Sequence, residues 1–440
     1  METIVQKAWS KSKSMVKAIT IAILILLLQI PTYFIRDLIQ ERETRQAEAI
    51  NEVSSKWAGT QNISGPYIVL PYLEDRTDSL KSKKHYAYFL PDELNIKSAI
   101  NPLEKHRGIY KVMLYNASIN ESGSYTSLNP DALNIIADKV IWKEASVRML
   151  ISDLKGLNDE FKINWNDKIL TLTPQMINKE PVLAANLNVS SFDDLKNIRF
   201  TSSFNINGSG QILFTPLGKI TTVKIDSKWP HPSFNGNSLP QTAQVNEHGF
   251  SAVWKSLAHN RNFPQQWKDD DYALSAQSNE VNDSQIIAAA AFGADLYVPV
   301  NAYQKTMRSI KYAILCILLT FVSFYLIETT NRKSIHPLQY ALIGFALVLF
   351  YTLLLSFSEY IGFNYSYIIA SLFTISLIAW FVKGLLSSSR LSIILSGVLV
   401  LIYTYIFTIL QLQDYALLVG SIGLFIALGI IMHFSKKIQW

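Results

Sequence analysis

The sequence predicts an α+β membrane protein: an N-terminal transmembrane anchor, a large β-rich exported domain, and a C-terminal bundle of five transmembrane helices. Three observations predict it. Hydrophobic residues make up 49% of the 440, and charged residues only 17%, against about 25% charged in soluble proteins. The shortfall is confined to Val16–Ile35 and to the stretch after Leu315. Between them lies ordinary soluble sequence with short β-like segments.

The spans come first. A hydrocarbon core about 30 Å thick needs about 20 apolar residues at 1.5 Å each. Val16–Ile35 meets this, after Lys7, Lys11, Lys13 and Lys17. No small-x-small cleavage site follows, so it reads as an uncleaved anchor and not a signal peptide. Five more apolar runs lie at about 310–327, 337–357, 364–382, 391–411 and 415–433. Arg332 and Lys333, Lys383 and Arg390, and Lys436 and Lys437 occupy alternate breaks or the tail. The other breaks hold Glu359 and Asp414 but no cation. The positive-inside rule then puts both termini in the cytoplasm and the large domain outside. Lys305, Arg308 and Lys311 run against this pattern, but they adjoin a long domain, where charge counting weighs less. The expected division is 1–15 cytoplasmic, 16–35 anchor, 36–309 exported domain, 310–433 five-helix bundle and 434–440 cytoplasmic tail. Tyr360, Tyr365, Tyr367, Trp380 and Trp440 near span ends read as an aromatic belt.

The pI of 9.0 comes from the membrane flanks. Residues 1–36 carry five cations against Glu2, and residues 310–440 carry seven against three acids. The exported domain is therefore slightly acidic. A nucleic-acid-binding domain would carry its own basic patch, so that class is excluded. The single cysteine, Cys316, lies in an apolar run, and the exported domain must hold together without disulfides.

Arg36–Trp57 reads as a helix continuing the anchor, with Ile39, Ile50, Val53 and Trp57 near one face. Gly65-Pro66 then breaks the chain. Tyr67–Tyr72, Arg199–Ile206, Gln211–Phe214 and Ile220–Ile225 read as strands. Asn207-Gly208-Ser209-Gly210 reads as a hairpin turn, Pro216-Leu217-Gly218 as another turn, and 269–284 as a surface loop.

No pattern in the exported domain carries obvious chemistry. His85, His106, His231, His248 and His259 show no zinc spacing. There is no Gly-x-Ser-x-Gly elbow and no phosphate loop. Asp269-Asp270-Asp271 reads as a solvated acidic loop. No catalytic residue, cofactor or metal site is expected. In the bundle, Pro337 fits a first helical turn and His336 precedes it, near Arg332 and Lys333, where a lipid phosphate could sit. Glu359 closes an otherwise uncharged span. Its reading stays open between an interfacial role and a proton, ion or headgroup role. His336, Gln339 and Glu359 are the candidate functional residues, with Glu328 and Asn364 as further polar points at span ends. No row of charges crosses the middle of the bundle, which weakens a coupled transporter.

Ordered motifs on both halves of the chain resemble the CreD family of bacterial inner-membrane proteins. In the bundle they are Lys311-Tyr312-Ala313-Ile314-Leu315, His336-Pro337-Leu338-Gln339-Tyr340, Ser358-Glu359 and Ile361-Gly362-Phe363. In the exported half they are Gly65-Pro66, Arg107-Gly108-Ile109-Tyr110 and Trp229-Pro230-His231-Pro232-Ser233-Phe234. The resemblance runs from about residue 15 to the end. Lys155 and Asn301 depart from it, standing where the family tends to have Arg and Asp. It implies a Gram-negative inner-membrane protein with a periplasmic domain, linked to envelope integrity, colicin sensitivity and β-lactam responses. It implies no catalytic residue, cofactor or substrate. The expectation is a non-enzymatic protein in the lipid bilayer that supports envelope integrity and stress tolerance. Its periplasmic domain would engage an envelope protein, peptidoglycan or a lipid. The alternative is a transporter or flippase of a lipid or amphiphile through the bundle.

Overall fold

A computed structural model describes residues 2–74, 83–177, 180–269, 271, 272, 274, 286–296, 302–331, 335–412 and 415–435. Arg332, Lys333, Asp270, Asn301, Asp414, Lys436, Lys437 and Trp440 lie outside the described residues, as does most of the expected 269–284 loop. The chain forms two compact units, Met1–Glu48 with Val300–Trp440, and Ala49–Pro299.

The first unit is helical. Helices α1 (Glu2–Leu27) and α2 (Gln29–Trp57) form one run interrupted at Leu28. Pro31 accounts for the break, because it has no N–H to offer the carbonyl one turn earlier. A short α3 (Ile286–Ala289) belongs to the other unit. The bundle follows as α4 (Ala302–Lys311), α5 (Ala313–Thr330), α6 (Pro337–Ile361), α7 (Phe363–Leu386), α8 (Ser389–Gln411) and α9 (Ala416–Ser435). Among the described residues six helices are long and apolar enough to cross a membrane, corresponding to the six runs in the sequence.

The anchor meets the bundle along one seam. Ile21, Ile25, Leu28, Thr32, Ile35 and Ile39 are buried, and their alternating steps of four and three keep one face toward a partner helix. Ile19, Ile23, Leu26 and Ile30 between them are at least half exposed, as lipid-facing side chains are. Gly344 of α6 makes the close approach possible, because a Cβ there would lie 2.2 Å from Leu28 Cδ1. On the far side, the Tyr405 hydroxyl of α8 donates to the carbonyls of Val419 and Gly420 at 3.2 and 2.9 Å, fixing α9. Tyr360, Tyr365 and Trp380 are exposed, as a belt requires. Tyr367 is not part of that belt. It is buried, and its hydroxyl donates to the Tyr403 carbonyl at 2.9 Å, because it lies on the face of α7 turned toward α8.

The second unit is built from sixteen strands: β1 (Gln61–Glu74), β2 (Lys83–Phe89), β3 (Glu93–Arg107), β4 (Tyr110–Tyr125), β5 (Ser146–Ile151), β6 (Phe161–Trp165), β7 (Lys168–Ile177), β8 (Glu180–Asn186), β9 (Ile198–Ser209), β10 (Gln211–Phe214), β11 (Ile220–Ser227), β12 (Pro232–Gly236), β13 (Thr242–Asn246), β14 (Gly249–Leu257), β15 (Gln266–Lys268) and β16 (Phe292–Leu296). They pair in the order β12-β16-β10-β1-β5-β8-β7-β6-β9-β4-β3-β11-β14-β13, with β2 and β15 branching from β1. Among the described residues all pairs are antiparallel except β1–β10 and β3–β11. The longest hairpin, β3–β4, turns at Gly108-Ile109, where Gly108 takes φ +60°, the left-handed conformation that a two-residue turn demands. Strict alternation of buried and exposed positions in β3 and β9 sends Leu94, Ile96, Phe200, Phe204 and Ile206 into one continuous core.

One turn expected from the sequence is absent. Asn207–Ser209 are the last residues of β9, still paired with β4 through Leu114↔Ser209, and β10 pairs with β1 and β16. The glycine at 208 serves packing: a Cβ there would lie 2.2 Å from the Tyr115 hydroxyl. The chain turns at Gly210, with φ +69°.

Candidate functional site

Among the described residues, Glu328 is the most completely bound acid in the helical unit. It lies near the C-terminus of α5 and is 4% exposed. Its Oε1 pairs with Lys17 Nζ from the anchor and accepts the Ile335 N–H at 2.9 Å. Its Oε2 accepts the Tyr340 hydroxyl at 2.7 Å. Lys17 also donates to the Ile335 carbonyl at 2.8 Å and lies 5.9 Å from the Tyr340 ring centre. One carboxylate thus ties the anchor, the end of α5 and the start of α6. A buried carboxylate needs a cation and several donors together to offset its desolvation, and this one has them.

Glu359 stands near the C-terminus of α6. That is 19 residues beyond Tyr340, or about 30 Å along the helix axis. It accepts the Tyr303 hydroxyl at 3.0 Å. Arg42 Nε, from the same seam as Lys17, is 3.8 Å away, within ion-pair range but too far to hydrogen bond. At the same end, Lys305 donates to Gln411 at 3.4 Å and Gln411 to Asn364 at 2.7 Å.

His336 and Gln339 form a helix cap. His336 Nδ1 accepts the Leu338 N–H at 3.2 Å, and the Gln339 side chain accepts the His336 N–H at 2.9 Å. Two N–H groups left orphaned at the start of α6 are thereby satisfied. The structure does not bring His336, Gln339 and Glu359 together: the first two open α6 and the third closes it.

The middle of the bundle is polar without being charged. Cys316 and Thr320 from α5, Tyr351 from α6, Tyr367 from α7 and Tyr403 from α8 are all buried. The Cys316 thiol sits beside the Tyr403 and Thr320 hydroxyls. Among the described residues the buried Ser309 Oγ of α4 has no hydrogen-bond partner. Charge patterning missed this cluster. The i, i+4 spacing of Cys316 and Thr320 on one face of α5 is the signal that would have found it.

In the β unit, His85 Nδ1 and Asp269 Oδ2 share a hydrogen bond of 2.5 Å, and the other Asp269 oxygen accepts the Tyr86 N–H at 2.9 Å. Asp269 is therefore tied into the sheet and is not a free loop acid. Glu121 points into the core with its Oε2 accepting the Ser202 hydroxyl at 3.1 Å, and burial pushes its carboxyl up to about 8. Buried Arg261 donates to the Pro216 and Leu217 carbonyls at 2.8 and 2.7 Å, bracing the turn after β10. Among the described residues no group of three or more His, Cys, Asp or Glu side chains is placed to hold a metal ion.

The family model described as "Inner membrane protein CreD" matches residues 13–440. A relative of that name from Escherichia coli (strain K12) is 29% identical over 423 residues, covering 94% of this chain and 91% of its own. The match spans the anchor, the β unit and the bundle alike, and the chain belongs to the CreD family of inner membrane proteins.

Proposed function

We propose that this protein supports the integrity of the cell envelope without catalysing a reaction, and that its β unit faces the periplasm and engages an envelope component. The observation that carries the reading is a β unit with its own extensive core, inserted between an anchor and a bundle clasped to each other. Loops rich in Arg and Lys alternate with loops lacking them, which supports cytoplasmic termini. The test is survival of a deletion strain under detergent and β-lactam challenge, with full-length complementation. Photo-crosslinking residues are placed over the β unit in the same cells. Restored survival with no crosslink to any envelope protein, glycan or lipid would sink the reading.

A second reading, passage of a lipid or amphiphile through the bundle, is favoured by the buried polar side chains of Cys316, Thr320 and Tyr403 in otherwise apolar spans. Tyr403→Phe at unchanged abundance should then lower survival. Full survival removes this reading.

A further inference from the structure

The outward face of β3, β4, β9 and β6 carries an unusual set of side chains. One row across the four strands reads Asn95, Ser122, Thr201 and Asn164, each in register with the next. The row beside it reads Lys97, Asn120 and Ser203, with Lys162 two residues from Asn164 on the same face. Together they line a cleft of about 600 Å³. Glu121 and Ser202 reach this cleft through their backbones, because their side chains are buried on the other face.

Strand propensity does not explain this composition. Asparagine is disfavoured in strands, and three occupy these two rows. Solubility would be served as well by mixed charges, yet the rows hold two lysines and no acid. Acids stand at the margins: exposed Glu93 is two residues from Asn95 on the same face of β3, Glu160 pairs with Lys162 at 2.9 Å, and Asp226 pairs with Lys224 at 2.9 Å. Lys224 stands directly across from Lys97, an adjacency of like charges that Asp226 already offsets at Lys224. The next rows provide an internal control. There Asn116 donates to Asn207 at 2.9 Å and Ser118 to Asn205 at 2.8 Å, so those polar groups satisfy each other. Among the described residues the outward side chains of these two rows make no hydrogen bonds to one another; the bond from Ser202 to Glu121 lies on the buried face.

We propose that this cleft binds the glycan of the cell wall, a polymer of acetamido sugars whose attached peptides carry carboxylates. Fixed amides and hydroxyls on a rigid sheet match its hydroxyl and acetamido groups, and the lysines at either end match its carboxylates. A protein partner or a lipid chain would need an apolar centre. Among the described residues the only large apolar side chain lining the cleft is Ile169, 73% exposed. The proposal rests on the reading that the β unit faces the periplasm, and it names what that unit holds.

The test is co-sedimentation of the full-length, detergent-solubilised protein with purified cell-wall sacculi. Wild type should sediment with them. Lys97→Gln with Lys162→Gln should lower the bound fraction about tenfold. Asn120→Val with Thr201→Ile should abolish binding while leaving the melting temperature equal or higher, since both changes favour strand. Sacculi with amidated carboxylates should bind as weakly as the lysine variant. Failure of wild type to sediment overturns the proposal, and so does equal binding by the variants or by amidated sacculi. The assay requires no export. A negative result here beside live-cell crosslinks from other faces of the β unit therefore rejects the cleft and spares the broader function.

Discussion

Glu328 and Glu359 are built alike and held differently. Each accepts a tyrosine hydroxyl, and each faces a cation from the anchor seam, Lys17 at one end and Arg42 at the other. Glu328 adds a backbone N–H and a close ion pair. Glu359 accepts the Tyr303 hydroxyl and faces a distant guanidinium that is 38% exposed. The contrast teaches that a carboxylate conspicuous in a sequence is not the one carrying most of the structure. Glu359 draws the eye because its span is otherwise uncharged. Glu328 is quiet because it sits near a break, and its cation lies 311 residues away.

The largest effect should come from Glu328→Ala. Removing one partner of a buried ion pair leaves the other uncompensated, at about 3–5 kcal/mol. Thermal unfolding in detergent should show it, and Lys17→Met on the Glu328→Ala background should recover part of the loss. Independent, additive losses would mean that the pair is not coupled.

Glu121 sharpens the comparison from the β unit, because it has burial without a cation. Its folded-state value is raised to about 8 from 4.5, so the folded chain keeps a proton that the unfolded chain releases. Its contribution is fully present below about 4.5 and is lost as pH rises through about 8. Stability attributable to this residue should therefore fall by on the order of 3 kcal/mol between pH 5 and 8. Denaturant unfolding of Glu121→Gln should lack that slope. An unchanged slope would assign the pH dependence elsewhere.

Glu359→Gln should cost only about 1 kcal/mol, since the tyrosine bond can persist to the amide. A loss as large as that of Glu328→Ala would erase the distinction between the two ends. The smallest effect separates two roles of His336. His336→Ala should cost about 0.5–1 kcal/mol as a lost cap, and His336→Asn close to nothing. If envelope survival falls equally with both, the imidazole has a task beyond capping.

Much of this architecture was legible. The six spans follow from hydropathy, and β9 and β11 from alternation, because period and length are local properties of a chain. The parallel pairing of β3 with β11 was not legible, since alternation identifies a face and not a neighbour. Tyr367 was misassigned for a related reason. Its place near a span end suits a belt, and only the direction of its helical face sends it inward. At the candidate site, Pro337 marked the start of α6, but the cations facing Glu328 and Glu359 come from a helix hundreds of residues away. Lys17 looked like one flanking cation among four. Its place one step beyond Ile21 on the 3.5-residue seam distinguishes it.

The clasp between Lys17 and Glu328 also sets an order of events during synthesis. At about 5–20 residues per second, the ribosome needs roughly 15–60 s to reach Glu328 after making Lys17. Through that interval the anchor is already in the bilayer with an unmatched ammonium, which a flexible lysine can hold at the headgroups by snorkelling. The whole β unit is translated in the same interval and has time to fold before the bundle exists. Helix α5 then emerges to a waiting partner, and the closing of this ion pair joins the anchor to the start of the bundle before α7, α8 and α9 are made.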